Sequence, residues 1–115
     1  MTALLTIAIA IRAYSYRYAN ETELQEQIAE ALERAGIPAV REVILSPRDR
    51  IDLLAQGVGI EVKVAGRQRD VLGQLERYAA HDEIEALILV TNRARHMMPD
   101  AIGGKPLETV SLICL

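Results

Sequence analysis

Two carboxylates and one lysine stand in an otherwise apolar stretch of the sequence, at Asp52, Glu61 and Lys63. Ionisable side chains on apolar strands are costly to bury unless they pair with each other or bind a ligand. Two carboxylates beside a backbone carbonyl, here that of Val62, offer the oxygen ligands that Mg²⁺ prefers. A metal-bound water has a lowered pKa, and an ammonium group would orient that water and stabilise developing negative charge. These residues predict hydrolysis of a phosphodiester bond with Mg²⁺, or with Mn²⁺ as a substitute.

Two neighbouring strands would carry these side chains. Residues 50–55 and 58–65 are rich in apolar residues, and Gln56-Gly57 between them is a turn signal. Because side chains alternate along a strand, Glu61 and Lys63 share one face. The alternate positions of the second strand point into the core: Ile60, Val62 and Val64. The competing interpretation, an ion pair of Lys63 at an exposed sheet edge, fits less well, because apolar neighbours flank both carboxylates.

Asp52 followed by Glu61-Val62-Lys63 resembles the core motif of the PD-(D/E)xK nuclease superfamily, which includes restriction endonucleases, Holliday-junction resolvases and several exonucleases. The residue before the aspartate is Ile51 and not the proline of the motif, which many members also lack. The resemblance covers about residues 20–92 and implies an α/β, restriction-endonuclease-like core with a mixed central β-sheet flanked by helices. It implies a Mg²⁺-dependent deoxyribonuclease, acting as an endonuclease in recombination, repair or mobile-element biology. The alternative is a catalytically inactive nuclease-like module that binds DNA or a protein.

The first helix of this superfamily often adds a glutamate to the metal site. Asn20 predicts a helix cap, and Gly36 predicts the end of that helix after about Ala35. Of its five glutamates, Glu21 falls on the apolar stripe, which consists of Leu24, Ile28, Leu32 and Ala35. Glu21 is therefore the candidate third carboxylate, with Gln25 at the edge of the stripe. The alternative is that Glu21 only complements the helix dipole.

A second helix is predicted from Asp70, as its cap, to about His81. Gln74 and Tyr78 lie four residues apart and share one face of it. Their spacing resembles the Gln-x-x-x-Tyr motif of exonuclease branches of the superfamily, which implies a place for Gln74 close to the catalytic residues. Tyr78 continues an apolar stripe and is expected to pack in the core.

Basic side chains follow two of the predicted strands. Arg67 and Arg69 follow the strand that carries Lys63, whereas Arg93, Arg95 and His96 follow the apolar strand 86–91. Loops at strand ends commonly carry binding groups. A single arginine is usually a solvated surface charge, but five basic groups beyond two neighbouring strands predict a rim that contacts DNA phosphates.

The remaining elements complete a predicted order of helix, three strands, helix, strand and strand. Residues 39–45 and 109–114 are predicted strands, residues 46–49 a turn, and loops around 97–106 enclose a possible short helix. Residues 3–13 fit a helix or a strand, and the alternating Tyr14, Tyr16 and Tyr18 favour extended chain. Residues 1–19 are interpreted as an N-terminal extension that offers an interface for a homodimer.

Size and composition predict one domain over residues 1–115. The sequence has no Phe or Trp, so its core must be aliphatic, and its net charge of −3 disfavours a general nucleic-acid-coating protein. Cys114 is the only cysteine, which excludes an internal disulfide and favours a cytoplasmic protein. Neither a membrane helix, a zinc site, a P-loop nor a serine-nucleophile motif is expected, and no organic cofactor is implied.

Overall fold

A computed structural model describes residues 1–93 and 97–112, so the predicted rim residues Arg95 and His96, and also Cys114, lie outside the described residues. In the described ranges the chain forms three helices and six strands. In chain order they are α1 (Ala3–Arg12), α2 (Glu21–Arg34), β1 (Val40–Ser46), β2 (Asp49–Ala55), β3 (Val58–Lys63), α3 (Gln68–Ala79), β4 (Ala86–Thr91), β5 (Ala101–Ile102) and β6 (Lys105–Ser111).

The strands form one mixed sheet in the order β1-β2-β3-β4-β6-β5. β3, β4 and β6 are parallel, and the other neighbours are antiparallel. One aliphatic cluster joins α1 and α2 to one face of the sheet, and a second joins α3 to the opposite face. The protein is therefore a compact α/β fold in which helices flank a six-stranded sheet, as the strand and helix patterns predicted. β3 and β4 lie at the centre of the sheet, and their buried residues support the candidate site.

The N-terminal segment, for which helix and strand both remained open, is the helix α1. Ile7 and Ile11 are fully buried one turn apart, whereas Ile9 between them is 51% exposed, as helical rather than strand periodicity requires. The Thr2 hydroxyl accepts a hydrogen bond from the Leu5 N–H at 3.2 Å and caps the first turn. α1 contacts α2, β4 and β6. It thus belongs to the aliphatic cluster that it shares with α2, which is called the main core below.

The helix α2 begins and ends with the signals expected from its sequence. The Asn20 side chain accepts a hydrogen bond from the Glu23 N–H at 2.9 Å, and Glu23 Oε1 accepts one from the Ala19 N–H at 3.1 Å. At the other end Gly36 has φ +74°, and the Ile37 N–H donates to the Leu32 carbonyl at 2.9 Å, which is a Schellman ending. These caps place Glu21 in the first turn, beside the end of β3.

Asp70 does not cap the second helix, and that prediction is wrong. The helix α3 begins at Gln68 after Arg67, whose side chain makes no capping hydrogen bond, and Asp70 lies inside the first turn. An acidic residue is favourable both at a cap and in the first turn, so Asp70 alone did not mark the boundary.

The predicted short helix within residues 97–106 is also wrong, because β5 and β6 form a hairpin there. Ile102 pairs with Lys105 across Gly103 and Gly104, which have φ +57° and +76°. Two left-handed residues form the tight turn that suits a hairpin, so Gly-Gly was a hairpin signal. The last strand accordingly begins at Lys105 and not at residue 109. Pro106 is tolerated because pairing of β6 with β4 begins only at the next residue.

In the β1–β2 hairpin, the regular alternation of side chains between the two faces of the sheet is interrupted in β2 at Asp52. Ile51 packs in the cluster with α3, whereas Leu53 packs in the cluster with α1 and α2. Residues two apart share a face of a regular strand, so alternation is interrupted between them. Opposite Asp52 on β1, Glu42 has φ +53°, an unusual backbone conformation for a residue with a side chain. The outer half of the hairpin thereby turns toward α3, and β2 separates from β3.

None of the helices in the described ranges is both long and apolar enough to cross a membrane.

Candidate active site

The separation of β2 from β3 creates the centre of the site. Paired register between the two strands ends at Leu53 and Ile60. Beyond that point the Val62 N–H donates to Asp52 Oδ2 at 2.8 Å, and the Asp52 N–H donates to Glu61 Oε1 at 3.3 Å. Side-chain carboxylates thus replace strand carbonyls as acceptors for these backbone amides. The sequence predicted that Asp52 and Glu61 lie together, and the structure brings them together.

The two carboxylates are held in an environment that disfavours their charge. Glu61 is 2% exposed, and Asp52 is half-buried. Burial, and next the neighbouring Asp52 carboxylate, raise the pKa of Glu61 to about 8. Burial also raises the pKa of Asp52, against the opposing effect of the Val62 hydrogen bond. A nearby cation would stabilise the ionised forms of these two neighbouring carboxylates, whose pKa values are raised in its absence.

Lys63 supplies one positive charge to this pair. Its Nζ lies 3.3 Å from Glu61 Oε2, and its side chain is 22% exposed. β3 lies between β2 and β4, so the ion pair is not at an open sheet edge. Glu61 and Lys63 share the face of β3 that looks toward α3, while Ile60 and Val62 enter the main core. The alternation inferred from the sequence for this strand therefore agrees with the structure.

Glu21 reaches the same end of the sheet from the other layer. Its Oε1 accepts a hydrogen bond from the Val64 N–H at 2.9 Å, immediately after β3. Its negative charge also acts to raise the pKa of Asp52. Gln25, one turn further along α2, is buried as expected for the edge of the apolar stripe.

Tyr78, and not Gln74, makes the direct approach to the carboxylates. The Tyr78 hydroxyl lies 3.5 Å from Glu61 Oε2 and donates to the Arg50 carbonyl at 2.9 Å. Gln74 Nε2 donates to that hydroxyl at 2.7 Å, so Gln74 contacts the site through Tyr78. Tyr78 is buried, as its packing role predicted, but its hydroxyl also links α3 to β2. A tyrosine at a core position has a polar end that needs a partner, which is the signal for this second role.

The described members of the predicted basic rim lie at neighbouring strand ends. Arg67 and Arg69 are exposed at the start of α3, and Arg93 follows β4 and is half-buried. Gln68 Nε2 donates to the Met97 carbonyl at 2.7 Å, which joins the start of α3 to the segment that follows β4. None of the three arginines forms an ion pair with another residue in the described ranges.

An ionic cluster around the buried Asp49, beside the site, was not predicted. Asp49 Oδ2 lies 2.9 Å from His81 Nε2, and Asp49 Oδ1 lies 3.1 Å from Arg77 Nε. The hydrogen bond with His81, together with the Arg77 guanidinium, lowers the pKa of Asp49 below its ordinary value. The partners are 28 and 32 residues from Asp49 in sequence, so no local pattern marked them. This cluster anchors the hairpin turn to the end of α3.

A second unpredicted feature is Asn92, at the carboxyl end of β4. Its Oδ1 is buried without a hydrogen-bond partner among the described residues. A polar residue directly after an apolar strand was the available signal, since the carboxyl ends of parallel strands commonly carry binding groups.

The donor set fits a hard divalent cation that keeps part of its water. Within the described ranges, no group of three or more His, Cys, Asp or Glu side chains is placed to hold a metal. Mg²⁺, however, is usually bound by one or two carboxylates, with waters and substrate phosphate oxygens completing its octahedral shell. Asp52 and Glu61, with the Val62 carbonyl, offer such a set. One carboxylate oxygen of Asp52, Oδ2, accepts a hydrogen bond from the Val62 N–H at 2.8 Å.

Comparison with protein-family models, with curated proteins and with solved structures found no match for this chain.

Proposed function

We propose that this protein is a Mg²⁺-dependent nuclease that hydrolyses DNA phosphodiester bonds, with a restriction-endonuclease-like core of the PD-(D/E)xK type. The observation that carries the proposal is the separation of β2 and β3, where Asp52 accepts the Val62 amide and Glu61 accepts the Asp52 amide. Lys63 Nζ lies 3.3 Å from Glu61 Oε2. Buried carboxylates with raised pKa values at a strand end are typical of functional sites.

Each residue has a distinct role in this proposal. Asp52, Glu61 and the Val62 carbonyl hold the metal, and Glu21 bonds to the Val64 amide beside them. When bound, Mg²⁺ would lower the pKa of a coordinated water and would neutralise charge on the phosphate. The Lys63 ammonium orients the attacking water and stabilises negative charge as it develops, and a compact ammonium suits this role. Gln74 positions the Tyr78 hydroxyl beside Glu61.

The substrate would be held by cations at the same end of the sheet. We infer that Arg67, Arg69 and Arg93, which follow β3 and β4, contact phosphates next to the cleaved bond, and Arg95 and His96 remain candidates for the same rim. We infer an intracellular endonuclease of recombination, repair or mobile elements, in which a homodimer would supply a second catalytic site.

Cleavage of a panel of DNAs tests the proposal. Supercoiled circle, linear duplex, single strand and four-way junction are incubated with Mg²⁺, Mn²⁺ or EDTA. The wild type is compared with Lys63→Ala and with Lys105→Ala, which removes the other lysine of the chain, one that bonds to the His81 carbonyl at 2.9 Å. We expect metal-dependent cleavage in the wild type and Lys105→Ala, and a loss of at least about 100-fold in Lys63→Ala, as for removal of a transition-state donor.

Two other results would lead to different conclusions. Equal cleavage by Lys63→Ala and the wild type would show that Lys63 has no catalytic role. DNA binding without cleavage on any substrate would select the alternative, a nuclease-like binding module.

A further inference from the structure

A polar groove of about 340 Å³ lies at the turn of the β1–β2 hairpin. It is lined by Ile44, Ser46, Pro47, Arg48, Asp49 and Arg50. The groove belongs to β2, the strand that carries Asp52, but it lies outside the set of residues that form the catalytic centre. It is therefore a separate candidate site on a shared element.

The groove presents unneutralised positive charge. Arg48 and Arg50 are both exposed, and neither forms an ion pair with another described residue. Asp49 is the only carboxylate among the lining residues, and its two oxygens are already bonded to Arg77 and His81. Among the described residues, the Ser46 hydroxyl accepts only a long hydrogen bond from the Arg48 N–H, at 3.4 Å, so its own proton can be donated to a ligand. Two guanidinium groups and a hydroxyl form a donor set that suits a phosphate.

The backbone under the two arginines is held in place. The Arg50 carbonyl accepts a hydrogen bond from the buried Tyr78 hydroxyl at 2.9 Å. Asp49, between the two arginines, is bonded to the end of α3 by two side chains. Binding groups on an immobilised backbone lose less conformational entropy when a ligand binds. Arg50 and Asp49 thus connect the groove to α3 and the residues that follow it, although the groove lies at a hairpin turn.

We propose that this groove binds a backbone phosphate of the nucleic acid, beyond the phosphate that is hydrolysed. Arg50 is two residues from Asp52, a distance of about 7 Å along a strand. Phosphates of one DNA strand recur about every 3.4 Å along the duplex axis, so the groove lies within one or a few nucleotides of the metal site. The hairpin turn then holds the strand on the side of the cleft opposite the Arg67 and Arg93 rim. This inference rests on the proposed function, because it names a further contact of the same substrate.

Salt-dependent DNA binding tests the groove. All variants carry Lys63→Ala so that no substrate is cleaved, and a fluorescent DNA duplex is titrated at several salt concentrations. Each phosphate contact contributes about 0.9 to the slope of log K against log salt for a duplex. The double variant Arg48→Gln/Arg50→Gln is expected to bind more weakly and to lose roughly 0.9 from that slope, because the contact with one phosphate is removed. The double variant to Lys, which keeps both charges, should retain most of it.

Arg34→Gln is the matched control, since it removes one exposed arginine that is paired with Glu30 at the far end of α2. It should leave the slope unchanged. If DNA binds but the Gln pair has the parent slope, the groove proposal is overturned and the proposed function stands. If the parent does not bind DNA at all, the groove proposal is overturned, and the proposed function is overturned with it if the wild type also fails to cleave DNA. Because both side chains are exposed, thermal unfolding of the Gln pair should match that of the parent, which excludes loss of folding as the cause.

Discussion

Replacing Tyr78 with Phe would remove one hydroxyl that joins three parts of the site. That hydroxyl donates to the Arg50 carbonyl at 2.9 Å, accepts from Gln74 Nε2 at 2.7 Å and lies 3.5 Å from Glu61 Oε2. The ring is 1% exposed and packs between α3 and the sheet, and Phe retains that packing. The substitution therefore tests the hydrogen bonds alone.

The expected loss of stability depends on which hydrogen-bond partners of the Tyr78 hydroxyl can bond to water instead. A buried acceptor left without its donor costs about 1–3 kcal/mol, and the Arg50 carbonyl is partly buried. Gln74 is half-buried, so its amide can form a hydrogen bond with water instead. It therefore adds at most about a few tenths of a kcal/mol to the loss of stability. The contact to Glu61 is too long to count as a strong hydrogen bond. We expect Tyr78→Phe to lower the free energy of unfolding by about 2 kcal/mol, and Tm by roughly 6–10 °C.

Urea unfolding at neutral pH measures this loss, with a lower midpoint and an unchanged m value. Gln74→Ala, which removes only the bond to the hydroxyl, should cost less than about 1 kcal/mol. The double variant should be close to Tyr78→Phe alone, since both changes remove the same interaction. Tyr18→Phe is the matched control, because the Tyr18 hydroxyl makes no hydrogen bond to a described residue while its ring packs on the main core.

The reasoning is refuted if Tyr78→Phe unfolds within about 0.5 kcal/mol of the wild type, or if it is no more destabilised than Tyr18→Phe. Either result would mean that the hydroxyl does not connect α3 to β2, and Gln74 would lose its route to the carboxylates.

Two further predictions concern the elements that surround the site. Because the pKa of Asp49 is lowered in the folded protein, its ionised form stabilises the fold above the ordinary pKa, and this stabilisation is lost as the pH falls through the folded value. Asp49→Asn should cost about 1–2 kcal/mol at pH 6, and the difference in stability between the variant and the wild type should narrow below about pH 4. An equal difference in urea unfolding at pH 3 and pH 6 would show that ionised Asp49 does not stabilise the fold. A Cβ at Gly59 would lie 2.4 Å from Ile51 Cδ1, so Gly59→Ala should destabilise by about 1–3 kcal/mol. Ile51→Val should relieve part of that loss, whereas Gly73→Ala in the open helix position should raise Tm.

The parts of this fold that could be predicted from sequence are those with strong local signals. Asn20 and Gly36 mark the limits of α2, and alternation along β3 places Glu61 and Lys63 on one face. Two strands joined by Gln56-Gly57 must be neighbours, so Asp52 and Glu61 had to lie near one another. Local chain geometry was sufficient for this part of the candidate site.

The remaining features depend on partners distant in sequence or on a local break in the rules. The turn toward α3 at Asp52 arises from the left-handed backbone of Glu42. A glutamate does not indicate this conformation in a sequence, because residues with a side chain seldom adopt it. The Asp49 cluster required knowledge of where α3 packs. Ile9 made α1 look like a strand, because three isoleucines alternate by chance while only two are buried.

Each of the three candidate carboxylates accepts a hydrogen bond from one backbone amide: Asp52 from Val62, Glu61 from Asp52 and Glu21 from Val64. The protein therefore contains a separate spectroscopic reporter for each acid. A change in protonation or ligation of one carboxylate alters the hydrogen bond that this carboxylate accepts, and the proton shift and exchange rate of the donating amide would change most. Cation titrations followed at these three amides would give the order in which the acids respond, without substrate and without mutation.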